Sequence, residues 1–311
     1  MNTLHTHLQA YLSMRRELGF KLLAHEPLLK GFIAFLEARQ ATYVTQALAV
    51  EWAALPQGRA PAWYSIRLSI ARGFANYLRV KDPRTEYIPV GLLPFKPRRP
   101  QPYLYTQTDI DQLLVAAKTL PPRDGLRSWT YHCLLGLLAT TGLRITEARS
   151  LKREDVDLQQ DVLTIRNTKF GKSRLVPIHP TTKAVLAQYA ARRDADSKAA
   201  QACPYFLVGE EGRQLRRCTI QKIFAKLTIE AGLRAPEARR GPRLHDLRHS
   251  YAVRTLINGY RSGQDTELLI PVLSTFLGHS QVRCTYWYLT ACPELLERAA
   301  ERLQARWEAQ S

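Results

Sequence analysis

The sequence predicts a mainly α-helical protein of two domains, with one small antiparallel β-sheet in the second domain. Three observations predict this fold class. Apolar residues recur at helical spacing through most of the chain, a proline-rich segment interrupts that pattern near residue 100, and one pair of neighbouring segments alternates between apolar and polar residues. The length of 311 residues also favours two domains, and a hydrophobic content of 45% is sufficient for packed cores.

Residues 1–92 are predicted to form a small helical bundle. The apolar positions fall into three groups at helical spacing: Leu8, Leu12 and Met14; Leu28, Leu29, Phe32, Phe35 and Leu36; Ile66, Ile70, Phe74 and Leu78. Breaks at His25–Pro27, Leu55–Gly58 and Lys81–Pro83 divide the segment into about four helices.

A basic linker is predicted over residues 93–103. The stretch from Pro94 to Pro102 holds four prolines and three cations, so it cannot continue a helix and should run extended. Two interpretations stay open: the linker contacts a polyanion together with the flanking domains, or it is solvated and touches nothing.

The second domain is predicted to span residues 104–311. Thr106–Asp109 is typical of a capped helix start, and Trp129 to Ala139 indicates a buried helix. The predicted sheet consists of strands over residues 161–166 and 173–178, joined by a hairpin turn over Thr168–Lys172. The remainder of the domain has helical spacing.

The net charge of +18 at pH 7 indicates a polyanionic partner. Both parts contribute, because residues 1–100 carry 14 lysines and arginines against 6 acidic residues, and residues 101–311 carry 31 against 21. Residues 213–243 alone hold nine of these cations. This distribution suits two modules that both contact a polyanion, whose counterions are released on binding; solubility alone is the alternative explanation.

Several classes of protein are not favoured. The five cysteines are odd in number and lack a Cys-x-x-Cys pair, so neither a disulfide framework nor a zinc site is predicted. The N-terminus lacks a signal-peptide core and no apolar run is long enough for a membrane span, so we expect a cytoplasmic protein. No metal or phosphate-cradling motif is present, so no cofactor is expected.

Four separated motifs carry the residue types that phosphoryl transfer through a protein nucleophile requires. They are Thr141–Glu147, Lys169 in the hairpin turn, His245–His249, and Leu277–Ser280 followed by Tyr288. Transfer of a phosphodiester concentrates negative charge on its non-bridging oxygens, so a site must supply fixed positive donors. Arg144 and Arg248 are the candidates, because guanidinium groups match phosphate geometry and keep their charge. Glu147 is expected to hold Arg144; an ion pair that is only structural is the alternative.

Two histidines are candidates for proton transfer or phosphate binding. His245 lies about one helical turn before Arg248, so both can project from one face of a helix, and imidazole titrates near neutrality. His249 is expected to point elsewhere and to be structural. His279 follows Gly278, which permits a tight turn, and is a candidate donor to a phosphate oxygen. A core histidine and a helix cap are the respective alternatives for His245 and His279.

Tyr288 is the candidate nucleophile, because a phenol can attack phosphorus when a base takes its proton. Tyr286 is the rival. Two residues along a helix differ in direction by about 200°, so only one of the two tyrosines can face the site.

The order Arg, Lys, His-x-x-Arg, Gly-His, Tyr resembles the tyrosine recombinases of the lambda-integrase and Xer types over residues 104–291. The resemblance implies a SAM-like core-binding domain over residues 1–92 and a catalytic domain over residues 104–311, which form a C-shaped clamp on double-stranded DNA. The catalytic set that it implies is Arg144, Lys169, His245, Arg248, His279 and Tyr288. In this family the hairpin lysine protonates the departing 5′ oxygen. Lys169 is preferred over Lys172 because it precedes the Lys-x-Arg-x-Val-Pro strand.

The C-terminal segment, residues 293–311, is predicted to be an amphipathic helix. Its apolar stripe consists of Leu295, Leu296, Ala299, Leu303 and Trp307. The helix either packs on its own domain or, as the resemblance implies, docks into a neighbouring protomer, which would give a tetramer on two DNA sites.

The predicted function is that of a site-specific DNA recombinase of the integrase or transposase type, independent of metal and ATP. It would cut strands through a 3′-phosphotyrosyl link to Tyr288 and exchange them through a Holliday junction. A type IB topoisomerase and a catalytically silent DNA-binding protein are the alternatives. The core-binding module begins almost at Met1, so no arm-binding domain is expected, which favours a simple or mobile-element recombinase. The motifs do not encode the DNA target, the direction of the reaction or a need for a partner recombinase or accessory factor.

Overall fold

The computed structural model describes residues 3–93, 101–122, 125–166, 171, 173–196 and 203–308. The chain divides into two compact units, residues 1–100 and residues 101–311. Most of the predicted linker, residues 94–100, lies outside the described residues, as do residues 168–170 and 172 of the predicted hairpin turn.

The first unit is a bundle of helices around one apolar core. Its helices are α1 (Thr3–Glu17), α2 (His25–Ala38), α3 (Gln46–Ala54) and α4 (Pro61–Leu78). The hydroxyl of Thr45 caps α3 by accepting a hydrogen bond from the amide of Leu48, and Pro61 occupies the first turn of α4, where its missing N–H costs nothing. Leu12, Phe32 and Phe74 are fully buried, so each of the three predicted stripes contributes to one core. Two of the predicted positions, Met14 and Ile66, are instead 37% and 48% exposed.

The second unit is mostly helical and contains one three-stranded sheet. Its elements are α5 (Gln107–Lys118), α6 (Leu126–Thr141), α7 (Ile145–Ser150), a 3-10 turn (Arg153–Asp155), β1 (Val156–Asp157), β2 (Val162–Ile165), β3 (Arg174–Pro177), α8 (Pro180–Ala195), α9 (Arg217–Glu230), α10 (Asp246–Arg261), α11 (Thr266–Leu277), α12 (Arg283–Ala291) and α13 (Pro293–Glu308). The predicted fold class, mainly helical with a small antiparallel sheet, is confirmed.

The sheet is antiparallel with the order β1-β2-β3. Leu163 pairs with Val176 and Ile165 pairs with Arg174, which is the register that the two alternating segments require. Strand β1 has no signal in the sequence and was not predicted, because a strand of two residues is too short to show an alternating pattern.

Local sequence fixes where the helices of the second unit begin and end. Thr106 and Asp109 form a reciprocal capping box at the start of α5. At the other end of α6, Gly142 adopts φ +61°, and a Cβ atom at this position would lie 2.7 Å from the ring of Tyr251. Glycine at position 142 therefore allows the sharp turn between the end of α6 and Arg144.

Helix α6 is the centre of the second unit. It contacts α5, α8 and α10, and Leu134, Leu137 and Leu138 on it are buried. A neighbouring core joins α10 to α13 and includes Tyr288 and Leu295. Among the described helices, none combines the length and the apolar character that crossing a membrane would need.

Candidate active site

Arg144 is held on two sides at the start of α7. Its Nη1 donates to Glu147 Oε1 over 2.8 Å and its Nη2 donates to the carbonyl oxygen of Gly278 over 2.9 Å. Its backbone N–H also donates to Glu147 Oε2 over 3.0 Å. About a third of the side chain, 32%, is still exposed. The ion pair expected between Arg144 and Glu147 is therefore present, with the guanidinium at the surface of the site.

Arg248 lies in the first turn of α10 and is buried. Its Nη1 donates to the carbonyl of Gly142 over 2.7 Å, and its Nη2 donates to the carbonyl of Leu277 over 2.8 Å. Burial, with a contribution from the charge of Arg144, lowers the pKa of Arg248 to about 10. Arg248 therefore keeps its charge at neutral pH. The two turns to which it binds are those next to Arg144 and His279.

Glu147 binds a second arginine, Arg174, which is not among the site residues predicted from the sequence. Nη1 and Nη2 of Arg174 donate to the two carboxylate oxygens of Glu147 over 3.2 and 2.9 Å. Burial opposes ionisation of this carboxyl, but the hydrogen bonds and charges of Arg174 and Arg144 outweigh it and hold the pKa of Glu147 below its ordinary value. Arg174 belongs to the Lys-x-Arg-x-Val-Pro stretch, so that motif was the available sequence signal.

His245 lies immediately before α10 and is partly open to solvent. Burial of the rest of the ring, together with the charges of Arg248 and Arg144, lowers the pKa of His245 to about 4. The imidazole is therefore neutral at physiological pH and can accept a proton.

The expectation that His249 points away from this group is wrong. His249 is 4% exposed, and its ring centroid lies 4.7 Å from that of His245 and 5.5 Å from that of Tyr288. The reason is helical geometry, because residues four apart share a helix face. The ring of His249 thus contacts the rings of both His245 and Tyr288.

Tyr288 and Tyr286 face opposite directions on α12. Tyr288 is 2% exposed and Tyr286 is 52% exposed, as the 200° relation requires. The ring of Tyr288 is stacked on His279 with centroids 6.2 Å apart and planes 21° apart. The His279 Nδ1 also lies 2.8 Å from the hydroxyl oxygen of Thr285 on the same helix.

The structure thus brings together five of the six predicted site residues: Arg144, His245, Arg248, His279 and Tyr288. Lys169 and its competitor Lys172 lie outside the described residues. Within the described ranges, no group of three or more histidine, cysteine or acidic side chains could hold a metal ion.

This fold, with two arginines, two histidines and a tyrosine in one site, defines the class of the tyrosine recombinases. The chain matches the phage integrase family over residues 104–294 and belongs to that family. It is 49% identical to the integrase/recombinase y4rB of Sinorhizobium fredii (strain NBRC 101917 / NGR234), covering 99% of each chain. It is also 29% identical to the tyrosine recombinase XerA of Pyrococcus furiosus, over 58% of this chain and 56% of XerA.

Similarity in structure extends over most of the chain. A solved lambda integrase tetramer bound to a Holliday junction matches with a TM-score of 0.59 and 16% identity, covering 92% of this chain and 76% of the integrase. The class of activity is therefore site-specific recombination by cutting and rejoining of DNA, and neither the topoisomerase nor the silent DNA-binding alternative is favoured.

Proposed function

We propose that this chain recombines DNA at a specific site with Tyr288 as the nucleophile. One observation carries the assignment: Arg248 and Arg144 donate to the consecutive carbonyls of Leu277 and Gly278, in the turn that leads to His279. His279 in turn stacks on Tyr288. The turn at Leu277–His279 therefore positions both arginines and the tyrosine relative to one another.

The two arginines bind the non-bridging oxygens of the scissile phosphate. The charge of Arg248 persists at neutral pH. Both guanidinium groups are held by hydrogen bonds to backbone carbonyls before DNA arrives, so little reorganisation is needed as negative charge develops. His279 supplies a further donor to the phosphate.

In the cleavage step the Oη of Tyr288 forms a bond to phosphorus while the bond from phosphorus to the 5′ oxygen breaks. The phenolic proton passes to neutral His245, and the 5′ oxygen takes its proton from Lys169, a role assigned from the family resemblance. The product is a 3′-phosphotyrosyl link, which a 5′-hydroxyl of a partner strand reverses through a Holliday junction. Energy is conserved in the link, so neither a metal nor ATP is required.

Tyr288 must reach the phosphate from a buried position. It is 2% exposed in the free chain. We therefore assign a movement of α12 to DNA binding, which brings the phenol out of its contacts with His249 and His279.

Double-stranded DNA is the assigned partner of both parts of the chain. We assign core binding to residues 1–92, the linker to residues 93–103 and catalysis to residues 104–311. Arg239 and Arg240 are exposed shortly before His245, where they can contact phosphates near the cut. Because the substrate is DNA, we place the reaction in the cytoplasm.

Helix α13 is the proposed contact between protomers in a tetramer on two DNA sites. Leu295 is fully buried in its own unit, whereas Leu303 and Trp307 are 49% and 63% exposed. The lambda integrase that matches this fold is a tetramer on a Holliday junction, which supports the same assembly here.

The assignment is tested with nicked suicide substrates made from the DNA that flanks the gene. The wild type should form a covalent adduct on a denaturing gel, Tyr286→Phe should keep it, and Tyr288→Phe should lose it. Adduct formation that survives Tyr288→Phe contradicts the assignment. Absence of adduct from the wild type, repeated with a cell extract that supplies any partner recombinase or accessory factor, also contradicts it.

A further inference from the structure

A closed ring of hydrogen bonds surrounds the turn that ends α11. Arg174 on β3 donates to both oxygens of Glu147, which accepts from Arg144, and Arg144 donates to the carbonyl of Gly278. Arg174 closes the ring because its Nε donates to the carbonyl of Phe276 over 2.8 Å. Three segments that are distant in sequence are thus joined by one carboxylate and two guanidinium groups.

The chemistry of this ring requires arginine at position 174. All three nitrogen atoms of the Arg174 guanidinium are used, and the side chain is only 11% exposed. A lysine would keep the charge, but its single nitrogen could not reproduce the planar fork that spans a carboxylate and a carbonyl.

Arg174 also packs against the backbone of Gly278. This glycine adopts φ +69°, and a Cβ atom there would lie 2.6 Å from Arg174 Nη1. The close approach explains why glycine precedes His279, since any side chain would displace the guanidinium. The position of the turn and the position of Arg174 therefore depend on each other.

The ring also sets the charge of the site. Arg144, Arg174 and Arg248 share one neighbouring carboxylate, that of Glu147, so positive charge remains for a phosphate. Without Arg174, Glu147 would neutralise Arg144 alone and weaken the field at the substrate.

We propose that Arg174 is a positioning residue for DNA cleavage, which fixes Glu147 and the Phe276–Gly278 turn and thereby holds Arg144 and His279 at the scissile phosphate. The inference rests on the proposed function. Arg174 itself needs no contact with DNA.

The first test compares Arg174→Lys with Arg166→Lys. Arg166 directly follows β2 on the other arm of the hairpin and pairs with Asp155, outside the site. For Arg174→Lys we expect single-turnover adduct formation to fall roughly tenfold to a hundredfold, because small displacements of positioned groups carry such penalties. DNA affinity should change by about twofold or less, since the phosphate contacts outside the cleavage step remain. Arg166→Lys should match the wild type in both.

A second measurement separates positioning from general damage. A methylphosphonate at the scissile position removes one negative charge, so cleavage of it depends less on Arg144. The penalty of Arg174→Lys should therefore be smaller on the methylphosphonate than on the phosphate. An equal penalty on both substrates, or no penalty on the phosphate, would overturn the inference.

A second variant perturbs the ring at Gly278 and keeps the inference testable if Arg174→Lys does not fold. Gly278→Ala should displace Arg174 and give the same selective loss. Gly263→Ala is its control, because Gly263 has the same φ of +69° with no atom within 4 Å of the added Cβ. Equal effects of the two alanines would contradict the inference. If the wild type forms adduct through Tyr288 but these variants behave normally, only the inference fails; if Tyr288→Phe still forms adduct, the proposed function fails as well.

Discussion

His279 Nδ1 lies 2.8 Å from the hydroxyl oxygen of Thr285, a fully buried residue of the helix that carries Tyr288. The contact fixes the orientation of the imidazole relative to α12. Helix α12 therefore orients the histidine proposed to bind the phosphate and also carries the tyrosine proposed to attack it.

Removal of this hydroxyl should slow cleavage without preventing it. Thr285→Val keeps the volume but removes the hydroxyl that contacts His279 Nδ1, so the imidazole is oriented less precisely and we expect adduct formation to fall about tenfold. Thr275→Val is the control, because Thr275 is exposed and its hydroxyl donates only to the carbonyl of Pro271 in its own helix. Single-turnover rates of adduct formation on a suicide substrate measure both variants. Equal rates would show that the Thr285 hydroxyl does not orient His279 for cleavage.

Arg248→Lys should combine a loss of stability with a loss of chemistry. Arg248 reaches the carbonyls of Gly142 and Leu277 from two separate nitrogens of a planar fork, which the single nitrogen of lysine does not reproduce. A buried carbonyl that loses its donor costs about 1–3 kcal/mol in the free energy of unfolding. Adduct formation should fall at least about a hundredfold, as for loss of a fixed donor to developing charge.

Arg254→Lys is the matched variant for that experiment. Arg254 lies on the same helix and donates to the carbonyl of Ala139, away from the turn at Leu277. Urea unfolding should show a smaller destabilisation, and adduct formation should be unchanged. A cleavage defect as large as that of Arg248→Lys would show that the loss reflects stability rather than chemistry.

The pKa of His245 should lie far below that of an ordinary histidine. Its pKa is lowered to about 4, against about 6.5 for an unperturbed imidazole. NMR titration of the free protein, assigned with His245→Gln, should give a midpoint near pH 4. A midpoint near 6.5 would contradict the burial and the arginine charges that surround the ring.

The same shift makes stability depend on pH. Between about pH 6.5 and pH 4 the unfolded chain takes up a proton at this histidine while the folded chain does not, so the free energy of unfolding falls as the pH falls through this window. His245→Gln should reduce the slope, as measured by urea unfolding at several pH values. An unchanged slope would mean that His245 protonates equally in both states.

The exposed apolar side chains of α13 should matter for assembly but not for folding. Leu303→Glu should leave the melting temperature of the monomer unchanged, because Leu303 is 49% exposed, while it reduces higher-order complexes on DNA in sedimentation experiments. Val115→Glu, at a site on α5 that is 66% exposed, is the control and should assemble normally. Normal assembly of Leu303→Glu would exclude this helix as the contact.

The sequence was sufficient for the fold class because helical spacing and the alternation around the hairpin are local signals. Order and spacing also predicted Arg144, His245, Arg248, His279 and Tyr288 as site residues, and the structure places these five side chains together. The role of Arg174 was not visible, since its partners Glu147 and Phe276 lie far away along the chain. The error at His249 came from judging its direction against Arg248, when its relation to His245 four residues earlier decides which face it shares.

The most direct test of the central claim is to identify the residue that becomes covalently linked to DNA. Adduct formed on a nicked substrate would be digested with nuclease and trypsin, and the peptide of residues 284–298, which contains both Tyr286 and Tyr288, would be sequenced by mass spectrometry. We expect a nucleotide joined through its 3′-phosphate to the Oη of Tyr288. Modification of Tyr286, or of any residue outside this peptide, would contradict it.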